Sequence, residues 1–263
     1  MTLALASASP ATQARHAHDS LVLGMVTAGT RRIDTKGAQT LIPVGAVFVL
    51  APGQAHACAP QDAEGCSYLA VSIIAQALPP ELALWAASCR NVPTAPRIDD
   101  THLAELLRRL AEAVGRPSGP LERQSLLAEC LERLAGHVCG GGEAAKTAPQ
   151  AEGDRMAEAV QAARQRLEET LEEGVDLASL AAACGLDMYA LHRAFTRLVG
   201  LPPHAFQTHL RLRRAKELLR GGASLADAAL AAGFCDQAHM TRHFARSVGL
   251  TPAEYARAHR VRP

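Results

Sequence analysis

Across residues 19–75 the apolar positions come in short runs cut by glycine and proline: SLVLGMVTAG, TLIPVGAVFVLAPG and CSYLAVSII. Short apolar runs with turn residues between them predict strands. From Asp99 the period changes. THLAELLRRLAEAVGR and LERQSLLAECLERLAGHV set leucines at i, i+3, i+4 and i+7 with charges between them, and GRPSGP breaks the pattern. This predicts an antiparallel pair of helices over 100–115 and 121–138. CGGGEAAKTAPQAEG follows as a flexible linker over 139–153. From Asp154 onward the chain reads as helices broken at Gly174, Gly185, Gly200–Pro203, Gly221–Gly222, Gly233 and Gly249–Pro252.

The expected order is a β-rich module with a helix pair over 1–138, a linker over 139–153 and an all-helical module over 154–263. That is an α+β, two-domain chain, and 263 residues are enough for two cores. Composition agrees: 48% of residues are hydrophobic, only 3% are aromatic, and the abundant alanine favours helices. No apolar run is long enough to span a bilayer, and no basic segment followed by an apolar stretch marks a secretory signal. The seven cysteines are an odd number without CxxC spacing, which predicts reduced thiols in a cytoplasmic protein. The formal charge of +1 hides an asymmetry. Residues 187–263 hold 12 Lys and Arg against 5 Asp and Glu, and six of the eleven histidines. A basic end on an otherwise acidic chain predicts a polyanionic partner.

The helical module contains an internal repeat. DLASLAAACGL (176–186) aligns with SLADAALAAGF (224–234), so that Gly185 falls on Gly233. Beyond one inserted residue, Leu191 pairs with Met240, Arg193 with Arg242, Phe195 with Phe244 and Arg197 with Arg246. Val199-Gly200-Leu201 then matches Val248-Gly249-Leu250, Pro203 matches Pro252, and Phe206 matches Tyr255. Each copy reads as a short Ala/Leu helix, a tight turn at glycine and a second helix. In the second helices Leu191, Phe195 and Leu198, or Met240, Phe244 and Val248, are expected to face the core. Tyr189, His192, Arg193 and Thr196 then fall outward, as do Gln237, His239, Arg242, His243 and Arg246. Such side chains suit base edges and phosphates of duplex DNA. A helix over roughly 203–219 would separate the copies by about 25 Å, against about 34 Å for one turn of DNA.

At these residues the chain resembles the AraC/XylS family of transcription regulators. GFCDQAHMTRHF and GLTPAEY follow that family's signature, and the likeness covers 154–260. It implies a two-unit DNA-binding domain whose second helices enter successive major grooves, with base contacts on Tyr189, His192, Arg193, Gln237, His239 and Arg242. It also implies dimerisation, and RNA polymerase as a possible partner. Cys235 and Ala238 stand where the family more often has polar residues.

In the N-terminal module, HAHDSLVLG (16–24) and APGQAHAC (51–58) resemble the two motif regions of the cupin barrel, the effector-binding domain of many such regulators. The resemblance implies a cupin-like β-barrel with His16, His18 and His56 converging at its mouth as effector-binding residues. Three imidazoles also suit a transition metal, with Cys58 as a possible soft ligand. Two departures weigh against a metal: no Glu follows His16-Ala17-His18 a few residues on, and Val44-Gly45-Ala46 replaces Pro-Gly-Asp. Alternatives are a thiol switch at Cys58 and Cys66, or a pocket that binds nothing. Trp85 is expected to pack between barrel and helices. The leucine stripes Leu103, Leu106, Leu107, Leu110 and Leu126, Leu127, Leu131, Leu134 offer one face for the barrel and surplus surface for a homodimer through 100–138. No Ser-His-Asp context, phosphate loop or paired catalytic carboxylates stands out, so the chain reads as no enzyme. A cupin enzyme with a DNA-binding tail and an architectural DNA binder without effector are the competing classes.

Overall fold

The structure is a computed structural model that describes residues 4–7, 13–35, 38–61, 64–88, 97–139, 150–172 and 174–259. Contacts divide the chain into two units, one of residues 1–115 and 126–144, the other of residues 116–125 and 145–263.

Among the described residues the first unit has nine strands and flanking helices. The strands are β1 (Ala4–Ser7), β2 (Gln13–His16), β3 (Ser20–Ala28), β4 (Arg31–Thr35), β5 (Ala38–Ile42), β6 (Val47–Leu50), β7 (His56–Pro60), β8 (Ser67–Ile74) and β9 (Arg97–Ile98). They form two antiparallel sheets in the orders β1-β8-β3-β6-β9 and β2-β7-β4-β5. Val22, Val26, Phe48, Leu50 and Ala70 of the first sheet share one core with Ile33, Ile42 and Cys58 of the second. Strand β3 is buried without alternation from Leu21 to Val26 because its other face, with Leu21 and Leu23, lies under helix α2 (Thr101–Val114). A strand covered on both sides loses the alternation that would mark a half-exposed one. Gly24 stands opposite Phe48 across the β3–β6 ladder, and an added Cβ would lie 2.3 Å from the Phe48 ring. Glycine in mid-strand is here the space that the ring occupies.

Helix α1 (Pro80–Ser88) carries Trp85, half-buried, and was not anticipated as an element. Helix α2 is capped by Asp100, whose carboxylate accepts from His102 N and Leu103 N. The same carboxylate accepts from Arg133 Nε and His137 Nε2, both at 2.6 Å, near the end of helix α3 (Pro120–Val138). The start of α2 thus meets the end of α3, as an antiparallel pair requires. All eight leucines of the two stripes are buried. The stripes themselves therefore leave no surplus apolar surface in the single chain.

The second unit contains α4 (Gln150–Glu169), α5 (Leu177–Ala183), α6 (Met188–Val199), α7 (Pro203–Arg220), α8 (Leu225–Ala231), α9 (Gln237–Val248) and α10 (Pro252–His259). Helix α4 starts four residues inside the stretch expected as linker, and 140–149 lie outside the described residues. The repeat is explicit in the caps. Asp176 and Ser224 cap the seven-residue α5 and α8; Asp187 and Asp236 cap the twelve-residue α6 and α9. Gly200 and Gly249 end α6 and α9 in the left-handed region, and Pro203 and Pro252 open the next helices. Both helices therefore begin on a carboxylate that meets free N–H groups and end on a residue that only glycine adopts cheaply. Phe195 and Phe244 are fully buried, and each meets the ring predicted to be its equivalent partner: Phe195–Phe206 at 5.6 Å and Phe244–Tyr255 at 5.3 Å.

Candidate functional site

The first candidate site lies inside the β-module. Strands β2 and β7 pair with His16 opposite His56, and the turn after β6 brings His18 to both. That turn is fixed by Gly53, at φ 76°, whose N–H donates to His18 O at 2.7 Å. The three rings lie 4.5–5.1 Å apart, centre to centre. Their available ligand atoms all fall within 4.8 Å of one another. His16 Nδ1 lies 2.7 Å from Ala14 O, and His56 Nδ1 lies 2.8 Å from Gln54 O. A carbonyl accepts only, so each Nδ1 carries the proton and each Nε2 keeps a lone pair. Burial lowers the His18 pKa, with His16 adding to it. Burial likewise holds His56 down at about 4, and the neighbouring imidazoles and Arg31 reinforce this against the bond to Gln54. His56 is thus neutral at neutral pH.

Two of these histidines, His18 and His56, border a cavity of about 110 Å³ lined also by Gln13, Arg31 and Tyr68, with Val22 and Leu50 among its apolar walls. Sequence reading missed Arg31, Gln13 and Tyr68. The signal was the alternation of β4, which turns Arg31, Ile33 and Thr35 inward together. Cys58 lines the same cavity but lies outside the group of converging ligand atoms. Burial pushes its thiol pKa up, the opposite of what a reactive or soft-ligand thiol needs. Cys58 and Cys66 are free, buried thiols, and Cys89 lies outside the described residues.

The second candidate site is the outer face of α6 and α9. Arg193, Gln237, Arg242 and Arg246 are exposed, and Thr196 is half-buried. Four other expected outward residues are not on that face. Tyr189 and His192 are buried, His192 completely, whereas Leu198, expected in the core, is 52% exposed. The buried face of α6 runs through Leu191, His192, Ala194 and Phe195, so the last turn passes beyond its packing partners. His239 is buried and His243 nearly so, because a carboxylate meets both. Glu122 Oε2 lies 3.5 Å from His239 Nε2, and its Oε1 lies 3.6 Å from His243 Nε2 and 3.0 Å from Arg116 Nη2. Burial alone would raise the Glu122 pKa. The hydrogen bond from His239 and the charges of His243 and Arg116 instead hold it near 2. Burial lowers His243 to about 4 although Glu122 opposes the shift. Glu122 is therefore ionised and His243 neutral at pH 7. Sequence reading missed this cluster, because Arg116 and Glu122 lie more than a hundred positions from His239 and His243.

A two-sheet module with a polar cavity, and a helical module with two like-built helix-turn-helix units, are the parts of a ligand-binding regulator that reads DNA. Residues 3–131 match the AraC-like ligand-binding domain family, and residues 180–258 match a helix-turn-helix domain family. The regulator YbfI of Bacillus subtilis is 27% identical over 226 residues, covering 86% of this chain and 80% of its own. The regulator MtrA of Neisseria gonorrhoeae is 33% identical over 85 residues, 32% of this chain and 28% of its own. A probable AraC-family regulator structure from Rhodopseudomonas palustris shows 29% identity over 40% of this chain and 99% of its own, with a TM-score of 0.37. The chain belongs to the AraC family of DNA-binding transcription regulators.

Proposed function

We propose that this regulator binds a small effector in the β-module cavity and thereby changes its affinity for a specific operator. The observation that carries this reading is the cavity itself: a partly open space edged by His18, His56 and a buried guanidinium inside an otherwise apolar core. A core that served packing alone would be filled, since interiors close to native density leave few voids larger than a water. Operator contact falls to Arg193 and Thr196 from the first copy and to Gln237, Arg242 and Arg246 from the second. Arg pairs two acceptors of guanine, Gln pairs adenine, and the outermost arginines meet phosphate. Helix α7, 18 residues and about 27 Å long, sets the copies at a separation suited to successive turns. No step in this reading requires turnover.

Selection of bound duplexes from a random pool, followed by footprinting, tests the reading. A protected site covering two successive turns, bound about 10³-fold or more above unrelated DNA, is expected. Even protection of unrelated sequences would support an architectural binder instead.

The metal reading has one observation in its favour. Two of the three histidines donate Nδ1–H to carbonyls, and ligand atoms of all three lie within 4.8 Å of one another; outer hydrogen bonds of this kind orient metal-bound imidazoles. His16, His18 and His56 would hold such an ion, which would act as a Lewis acid or as the sensed species. Metal analysis of untagged protein decides it, and less than about a tenth of an equivalent removes this reading.

A further inference from the structure

Arg31 stands at the start of β4 and is only 4% exposed. A guanidinium taken out of water is costly unless acceptors or a carboxylate meet its five N–H groups. Here Nη2 donates to Gln13 Oε1 at 2.8 Å, and the guanidinium carbon lies 3.8 Å from the Tyr68 ring centre. The Nε–H is buried and meets no acceptor. Among the described residues no carboxylate pairs with Arg31. Asp34, on the opposite face of the strand, accepts from Gln39 and pairs with Arg32. The fork is therefore held by Gln13 on one edge, by Tyr68 on one face and by a hydrogen bond with the Cys58 thiol, and its Nε–H is left over.

That guanidinium forms part of the cavity wall. We propose that the effector is a small organic carboxylate whose two oxygens take the remaining edge of Arg31, with its carbon stem against Val22, Leu50 and Ala70. This rests on the effector reading above and specifies the ligand class. A carboxylate matches the planar fork with two parallel charge-assisted hydrogen bonds and neutralises the buried charge, which a neutral ligand cannot do. The apolar walls favour an organic acid over an inorganic anion. Size is bounded too: 110 Å³ is less than the roughly 150 Å³ of a cavity that admits benzene, so the stem is short.

Thermal unfolding of the full chain tests this with propionate, butyrate and 3-hydroxybutyrate, the matching amides, and inorganic phosphate. At about ten times Kd a carboxylate is expected to raise the midpoint by roughly 3 °C, while amides and phosphate leave it unmoved. Arg31→Met should abolish the response. Without ligand it should unfold no earlier than the parent, because it removes an unpaired buried charge; a merely structural arginine would show a clear loss. Arg31→Lys, which keeps the charge without the fork, should weaken carboxylate binding about tenfold or more and serves if the methionine variant does not fold. Amides binding as well as acids, phosphate binding equally, or a response surviving in Arg31→Met would each overturn the proposal. Ala70→Phe, which fills the cavity, separates the two readings. A neutral probe whose effect vanishes in that variant overturns the carboxylate and leaves the effector cavity standing. If no probe binds and Ala70→Phe leaves operator binding and stability unchanged, both fall.

Discussion

Gly185 and Gly233 occupy the same position in the two copies of the repeat, and both adopt left-handed backbone, φ 68° and 82°. Their surroundings differ. A Cβ at Gly185 would meet nothing within 4 Å, whereas one at Gly233 would lie 2.1 Å from Leu171 O and 2.9 Å from Arg211 Nε. Leu171 O also accepts the 2.9 Å hydrogen bond from Arg211 Nε, with Arg211 itself buried. Gly185→Ala should therefore cost only the left-handed penalty, about 1–2 kcal/mol. Gly233→Ala carries the same penalty and must also push a backbone carbonyl aside. Losing a hydrogen bond from a charged donor costs a further ~1.5–3 kcal/mol, so the total is about 2.5–5 kcal/mol. Urea unfolding of both variants, followed by helical circular dichroism, measures the difference; Trp85 fluorescence would report the first unit instead. Equal losses in the two variants would refute the argument that backbone approach, and not conformation alone, fixes glycine at 233.

Three further outcomes are expected. Arg193→Ala and Arg242→Ala should each weaken binding to the selected operator by about 1–3 kcal/mol in gel-shift titrations, with little change on unrelated DNA if they contact bases. His56, held near pKa 4 against 6.5 for an unburied histidine, binds its proton later in the folded chain than in the unfolded one. Its contribution is fully present above pH 6.5 and is lost as pH falls towards 4, by up to about 3 kcal/mol, and His56→Gln should flatten that part of the stability profile. Gly24→Val places side-chain carbon on the Phe48 ring and near Leu69 O, and should lower stability by about 1–3 kcal/mol or more in the same unfolding assay.

Local signals determined a large share of this protein. The period change at Asp99, the repeated Gly-aromatic turn and the Val-Gly-Leu steps are short-range features, because caps and turns depend on a few neighbouring residues. That is why the strands β3, β6 and β8, the pair α2 and α3, and both bihelical copies were legible from the chain alone. The pairing of His16, His18 and His56 was legible for a similar reason: two motifs carried it. Which face of a helix is buried was less so. Leucine spacing pointed to Leu198, and the fold placed His192 inside instead, since the packing partner and not the helix decides how far a buried stripe extends. Arg31 and Glu122 lay beyond sequence reading altogether. Each looks like an ordinary charged residue until strands or helices distant in the chain exclude water around it, and only that exclusion turns a charge into a demand for a partner.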